Sequence, residues 1–315
     1  MAVEPGAPGS RLTSRRTFLV AAGGAIAAAC GGSTAAQRAP GPTLVVPGVS
    51  HDGPPPSAVR AMPPTAAPTP VIPPAGVEIR TFLPGTPGAT SLTIRHSGEA
   101  GPAAMVLGGV HGNEPAGWQA AEQVAGWMPT AGSLIVLARA NVMALDSFVR
   151  TFDEIGDLNR LYPGNASSAL LMERMAAEIV AVAIEFHVDL LIDMHESWGF
   201  YVDYPGTGTS ALGQTVTGGV GPRSPGFAES VRDRLNPSLP GREQLIIRAG
   251  SPFAGGSTPV AGGSNRGRSS LGIGAAVPGL TPILVEMGQE NQSILRRVEL
   301  HLIVGRTMLE MVGVL

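Results

Sequence analysis

Four short apolar runs, at 103–110, 133–138, 190–194 and 282–285, constrain this chain more than any other feature. A run of four to eight apolar residues without alternation marks a strand buried on both faces, and such strands belong to parallel sheets covered by helices. Segments with helical spacing lie at 114–128, 170–187, 227–235 and 293–314. Residues 77–83 and 91–96 read as an antiparallel pair at the edge of the sheet, and 244–248 as a further strand. Alternating strands and helices require crossover connections. The expected fold is therefore α/β: a mostly parallel mixed sheet with helices on both faces.

The 43 glycines and 29 prolines are too many for one such domain unless some lie outside it. Residues 1–30 read as an address: Arg15-Arg16 precede a short apolar run at 21–29, which resembles a twin-arginine export signal. Cys30 is the one cysteine and closes that run, as at a lipoprotein processing site. The plainer alternative is cleavage near Ala29, with Cys30 a bystander. Residues 31–75 read as a disordered Pro/Gly-rich tether, and 76–315 as a single catalytic domain. Outside the signal no run of 18 apolar residues occurs, so any membrane contact is expected through a lipid anchor only. The expected location is the cell envelope or periplasm.

Composition also excludes chemistry. The 21 basic residues are all Arg, which removes P-loop and Schiff-base mechanisms that need a lysine amine. One cysteine cannot form an intrachain disulfide, a thiolate zinc finger or an iron–sulfur cluster. A net charge of -3 gives no reason to expect a nucleic-acid partner.

Reactive side chains gather where the apolar runs stop. His111 follows the first run, His195 the third and Glu286 the fourth. In open α/β sheets, ligands bind beyond the carboxyl ends of strands, so three separate segments point to one place. Within His111-Gly-Asn-Glu114 the His and the Glu can converge on one cation if the first ends a strand and the second opens a helix. With His195 they make two nitrogens and one carboxylate, the donor set of a catalytic zinc site. Alternatively, Glu114 merely complements the dipole of the helix it opens. A second cluster, Arg150 and Asp157-Leu-Asn159-Arg160, could hold a carboxylate or polarise a carbonyl. Asp157 could instead orient a ligating His through its second ring nitrogen. Glu196 reads either as lining the pocket or as capping the turn that follows it.

In order and spacing, His111-Gly-Asn-Glu114, Asn141, Arg150, Asp157-Leu-Asn159-Arg160, Asp193-Met-His195 and Glu286 resemble the carboxypeptidase A-like zinc hydrolases, in their succinylglutamate desuccinylase/aspartoacylase branch. The resemblance implies a zinc-carboxypeptidase-like single domain and one Zn2+ per chain, held by His111, Glu114 and His195. It implies that Glu286 activates the zinc-bound water, that Arg150 and Arg160 polarise the carbonyl and bind carboxylate, and that Asn159 binds substrate beside them. The implied reaction is cleavage of an amide bond in a small peptide or an N-acyl amino acid. The alternative is a non-catalytic ligand-binding envelope lipoprotein on a hydrolase-like fold. Carboxypeptidases of the superfamily carry a Tyr in a mobile loop before the catalytic Glu, whereas residues 250–279 contain none. Tyr201 and Tyr204 are the candidates to replace it or to line the pocket.

Overall fold

The computed structural model describes residues 72–205, 210–248 and 268–315. The signal, Cys30 and nearly all of the tether lie outside the described residues, as does most of the 250–279 loop. Among the described residues seven strands form one sheet in the order β1-β2-β4-β3-β5-β7-β6: β1 Gly76–Phe82, β2 Thr90–His96, β3 Ala103–Leu107, β4 Ser133–Leu137, β5 Leu190–Ser197, β6 Thr215–Gly218 and β7 Thr281–Gly288. The central neighbours β4, β3, β5 and β7 are parallel, while β2 and β6 flank them antiparallel. The mixed α/β sheet expected from the apolar runs is the sheet observed.

Among the described residues five α-helices accompany the sheet: α1 Pro115–Val124, α2 Val142–Ser147, α3 Leu171–Glu185, α4 Ser224–Leu235 and α5 Ile294–Val312. Odd and even strand positions face two separate cores. Leu107, Ile135 and Leu191 meet Met172, Met175 and Ile179 of α3 on one face. Val106, Val136, Ile192 and Val285 meet α1, α4 and α5 on the other. Helix α1 is rich in small residues, and an added Cβ at Gly117 would stand 2.3 Å from the Met194 carbonyl oxygen. The helix thus lies almost on the backbone of β5. Helix α5 starts at Ser293, whose hydroxyl caps the Arg296 N–H, and stops at Gly313 in the left-handed conformation.

This topology positions the site. The chain leaves β3 through α1 on one face to reach β4, then returns through α3 on the other face to β5, on the opposite side of β3. The loops after β3 and β5 therefore diverge and leave a crevice, the usual ligand position in doubly wound sheets.

Three expectations are corrected. The segment 244–248 is no strand; after a 3-10 turn at Gly241–Glu243, Ile246 makes a single bridge to Thr215. His96 does not lie on an edge strand, because β2 sits between β1 and β4, and its ring bonds Ser133 Oγ at 2.8 Å. His187 is not helical but follows α3 with φ 48°.

Candidate metal centre

His111, Glu114 and His195 meet beyond β3 and along the end of β5, with one potential ligand atom from each lying within 4.8 Å of the others. All three are buried. Glu114 bridges the two rings: Oε1 lies 2.7 Å from His111 Nδ1, and Oε2 lies 2.7 Å from His195 Nδ1. The outward nitrogens are also held by carboxylates. Asp157 Oδ1 is 3.1 Å from His111 Nε2, and Asp193 Oδ2 is 2.9 Å from His195 Nε2. Asp193 is two residues before His195 and thus shares its face of the strand.

These contacts test whether a cation fits. A neutral imidazole that gives its Nε2 proton to Asp157 or Asp193 presents a bare lone pair at Nδ1. Both lone pairs would then face the Glu114 carboxylate at 2.7 Å, acceptor against acceptor. Either the rings carry an extra proton or a cation lies between them. Carboxylates on the outer nitrogens are the usual support of metal-bound histidines, so the residues fit zinc. The electrostatics without metal agree. Burial opposes charge on His195, but Asp193 and Glu114 outweigh it and hold its pKa well above the ordinary histidine value. Burial likewise opposes ionisation of Glu114 and Asp157. The positive histidines still hold Glu114 far below the usual carboxylate range, and the His111 hydrogen bond and charge, with Arg150 and Arg160, do the same for Asp157.

Glu286 stands beside His195 in the parallel register of β5 and β7. Its Oε2 is buried and has no hydrogen-bond partner among the described residues. Burial lifts its pKa to about 7, tempered by the charge on His195. Arg150 reaches Asp157 Oδ2 at 3.3 Å and Glu114 Oε1 at 3.5 Å, and its side chain stays 41% exposed. Asn159 accepts the Ser270 N–H at 2.9 Å through Oδ1, while among the described residues Arg160 bonds only the Asn159 carbonyl. Arg160 and Tyr201 make no hydrogen bond to the three ligating residues. Asn141 lies outside the cluster and caps α2.

The sequence reading left two other participants without these roles. Glu196 is buried against Arg297 of α5, and it caps α1 instead of the turn after itself. Tyr162 is buried with its hydroxyl unpaired, and burial together with the charge of Asp193 raises its pKa. An arginine on the apolar face of α5 was the available signal for the first. Nothing local marked the second.

The doubly wound sheet and this His-Glu-His cluster define an α/β fold with a candidate metal site at the carboxyl ends of its parallel strands. Residues 100–198 match the model of the succinylglutamate desuccinylase/aspartoacylase catalytic domain. Solved structures share the fold at low identity. Apo Csd4, a cell shape determinant protein from Helicobacter pylori, is 14% identical with a TM-score of 0.58, over 76% of this chain and 55% of that one. Its mDAP-bound form, described as a D,L-carboxypeptidase, is 17% identical with a TM-score of 0.56, over 68% and 52%. A succinylglutamatedesuccinylase/aspartoacylase from Rhodobacter sphaeroides is 17% identical with a TM-score of 0.54, over 79% and 69%. The match spans about half the length of the Csd4 chains. No curated protein sequence matches the chain.

Proposed function

We propose that the protein is a zinc-dependent hydrolase that cleaves an amide bond in a small peptide or an N-acyl amino acid. The observation that carries this reading is the buried, unpartnered Glu286 oxygen beside a two-histidine, one-carboxylate cluster. His111, Glu114 and His195 would hold the ion. When bound, zinc supplies Lewis acidity, polarising a carbonyl and acidifying water. The protein's own groups do the proton work. Glu286 as carboxylate takes a proton from the attacking water and returns it to the departing amine nitrogen. Arg150, half-exposed and only loosely tied to Asp157, can turn to a substrate carboxylate or to the oxygen that gains charge. Among the described residues Arg160 engages one of its donors, at the Asn159 carbonyl, and the Asn159 amide NH2 has no partner.

The test is to incubate the zinc-loaded full chain with a panel of N-acyl amino acids and muropeptides, reading products by mass spectrometry. Release of a free amine with its carboxylate partner is expected from one class. Binding without turnover across the panel would leave only a ligand-binding protein. The signal-like N-terminus supports an envelope location, anchored through a lipid on Cys30. Cells fed a labelled fatty acid are expected to label the wild-type chain and not the Cys30→Ser chain. An unlabelled wild type would leave only the cleaved-signal reading.

A further inference from the structure

Glu114 occupies the N-cap position of α1 yet makes no capping hydrogen bond, because its carboxylate is turned outward to the two histidines. A helix start normally keeps its capping side chain for its own N–H groups. Here a residue 82 positions further along the chain provides the cap. Glu196 Oε2 accepts the Ala116 N–H at 2.8 Å, at the second residue of the helix. The contact is reciprocal, since the Glu196 backbone N–H donates to Glu114 Oε2 at 3.0 Å. That N–H is free for the purpose because β3 pairs with β5 only as far as Asp193. The remaining Glu196 oxygen is ion-paired with Arg297 of α5, and both side chains are almost wholly buried.

Building on the zinc-site reading, we propose that Glu196 and Arg297 are positioning residues for the metal centre: Glu196 caps α1 in place of Glu114 and so frees Glu114 to ligate. Arg297 holds Glu196 on the helix side of β5. Its charge keeps a second buried carboxylate, one residue from His195, from turning toward the cation. Without the cap, the Glu114 carboxylate is drawn back to the N–H groups of its own helix and the cluster loses its bridging member.

Two double variants separate the cap from the ion pair. Glu196→Gln with Arg297→Met removes both charges but retains an acceptor for Ala116. Glu196→Leu with Arg297→Met removes the acceptor too and leaves an apolar pair of similar volume, a replacement that buried ion pairs often tolerate. Zinc affinity of each full-length chain is measured by chelator competition, with the absorption spectrum of the cobalt-substituted site as a second readout. Loss of a group supporting a ligand typically weakens metal binding about 10–100-fold. The Leu variant is expected to show that loss and an altered cobalt spectrum, with the Gln variant close to wild type. Equal affinities and spectra in both would overturn the positioning role while leaving the zinc site intact. A wild-type chain that binds no zinc would overturn both readings. One measurement needs no substitution. Coupling between two sites is reciprocal, so zinc is expected to slow hydrogen exchange at the Ala116 amide. An exchange rate unchanged by zinc would count against the cap even if the Leu variant failed to fold.

Discussion

Glu286 is under two opposed influences. Burial favours its protonated form and places it near 7, whereas a neighbouring dication favours the carboxylate. A proton acceptor works only while ionised, so the rate is expected to fall on the acid side as this group protonates. Binding of metal shifts that limb below 7. Glu286→Gln preserves shape and removes the acceptor. Turnover is expected to drop roughly 10²–10⁴-fold, the usual worth of one acid–base group. Zinc content is expected to stay at one ion per chain, read by elemental analysis. Wild-type turnover in this variant would remove Glu286 from the mechanism. This residue was legible in the sequence because it follows a short apolar run, which locates the carboxyl half of a buried strand; β7 itself continues past it to Gly288, as β5 continues past His195 to Ser197. His111 and His195 were legible for the same reason. Glu196 was not: its partners, the Ala116 amide and Arg297, come from α1 and α5, which pack against β5 from distant parts of the chain.

At the scale of elements, α1 fits closely on β5. The pattern Pro115-Ala-Gly-Trp-Gln-Ala-Ala places small residues toward the sheet, and Gly117 allows the helix to touch the Met194 carbonyl. A methyl group there collides with backbone, which cannot rotate away as a side chain can. Gly117→Ala is expected to destabilise the domain by about 1–3 kcal/mol, the usual range for overpacking. It is also expected to weaken zinc binding, because the same helix carries Glu114 at its start. Denaturant titration and chelator competition on the one variant check both effects, and an unchanged midpoint would refute the close-contact argument. Elements with long, one-sided patterns, such as α3 and α5, could be read from spacing alone. The six-residue α2 and four-residue β6 could not, since neither spans enough of a period to stand out. The segment 244–248 has strand-like composition, but Leu245 packs into the core while only Ile246 finds a ladder partner. Its apolar pattern records burial without pairing.

For the whole domain, the ionisable groups of the site set a pH window for folding without metal. Glu286 is raised from 4.5 to about 7, and His195 is raised well above 6.5. Groups raised in the fold bind their protons more tightly there. Their contribution is complete below the unfolded values and is lost as pH climbs through the folded ones. Glu196, raised by burial to about 7, adds in the same direction. Glu114 and Asp157 are lowered, so their contribution is present above 4.5 and 3.8 and is lost as pH falls. The metal-free chain should therefore be most stable near pH 4.5–5, where the raised and the lowered groups both contribute, and should weaken steadily toward pH 8. Zinc reverses the alkaline trend. It competes with the proton that His195 holds against Glu114, and it binds more tightly as that proton is lost. Thermal melts at pH 5.5 and pH 8, with chelator and with zinc, measure the difference. The gap between zinc-loaded and metal-free melting temperatures is expected to widen by on the order of 5 °C or more from the lower pH to the higher. A gap that is constant or narrows would mean that these buried groups do not hold their protons in the metal-free fold, and the charge arrangement derived for the cluster would be wrong.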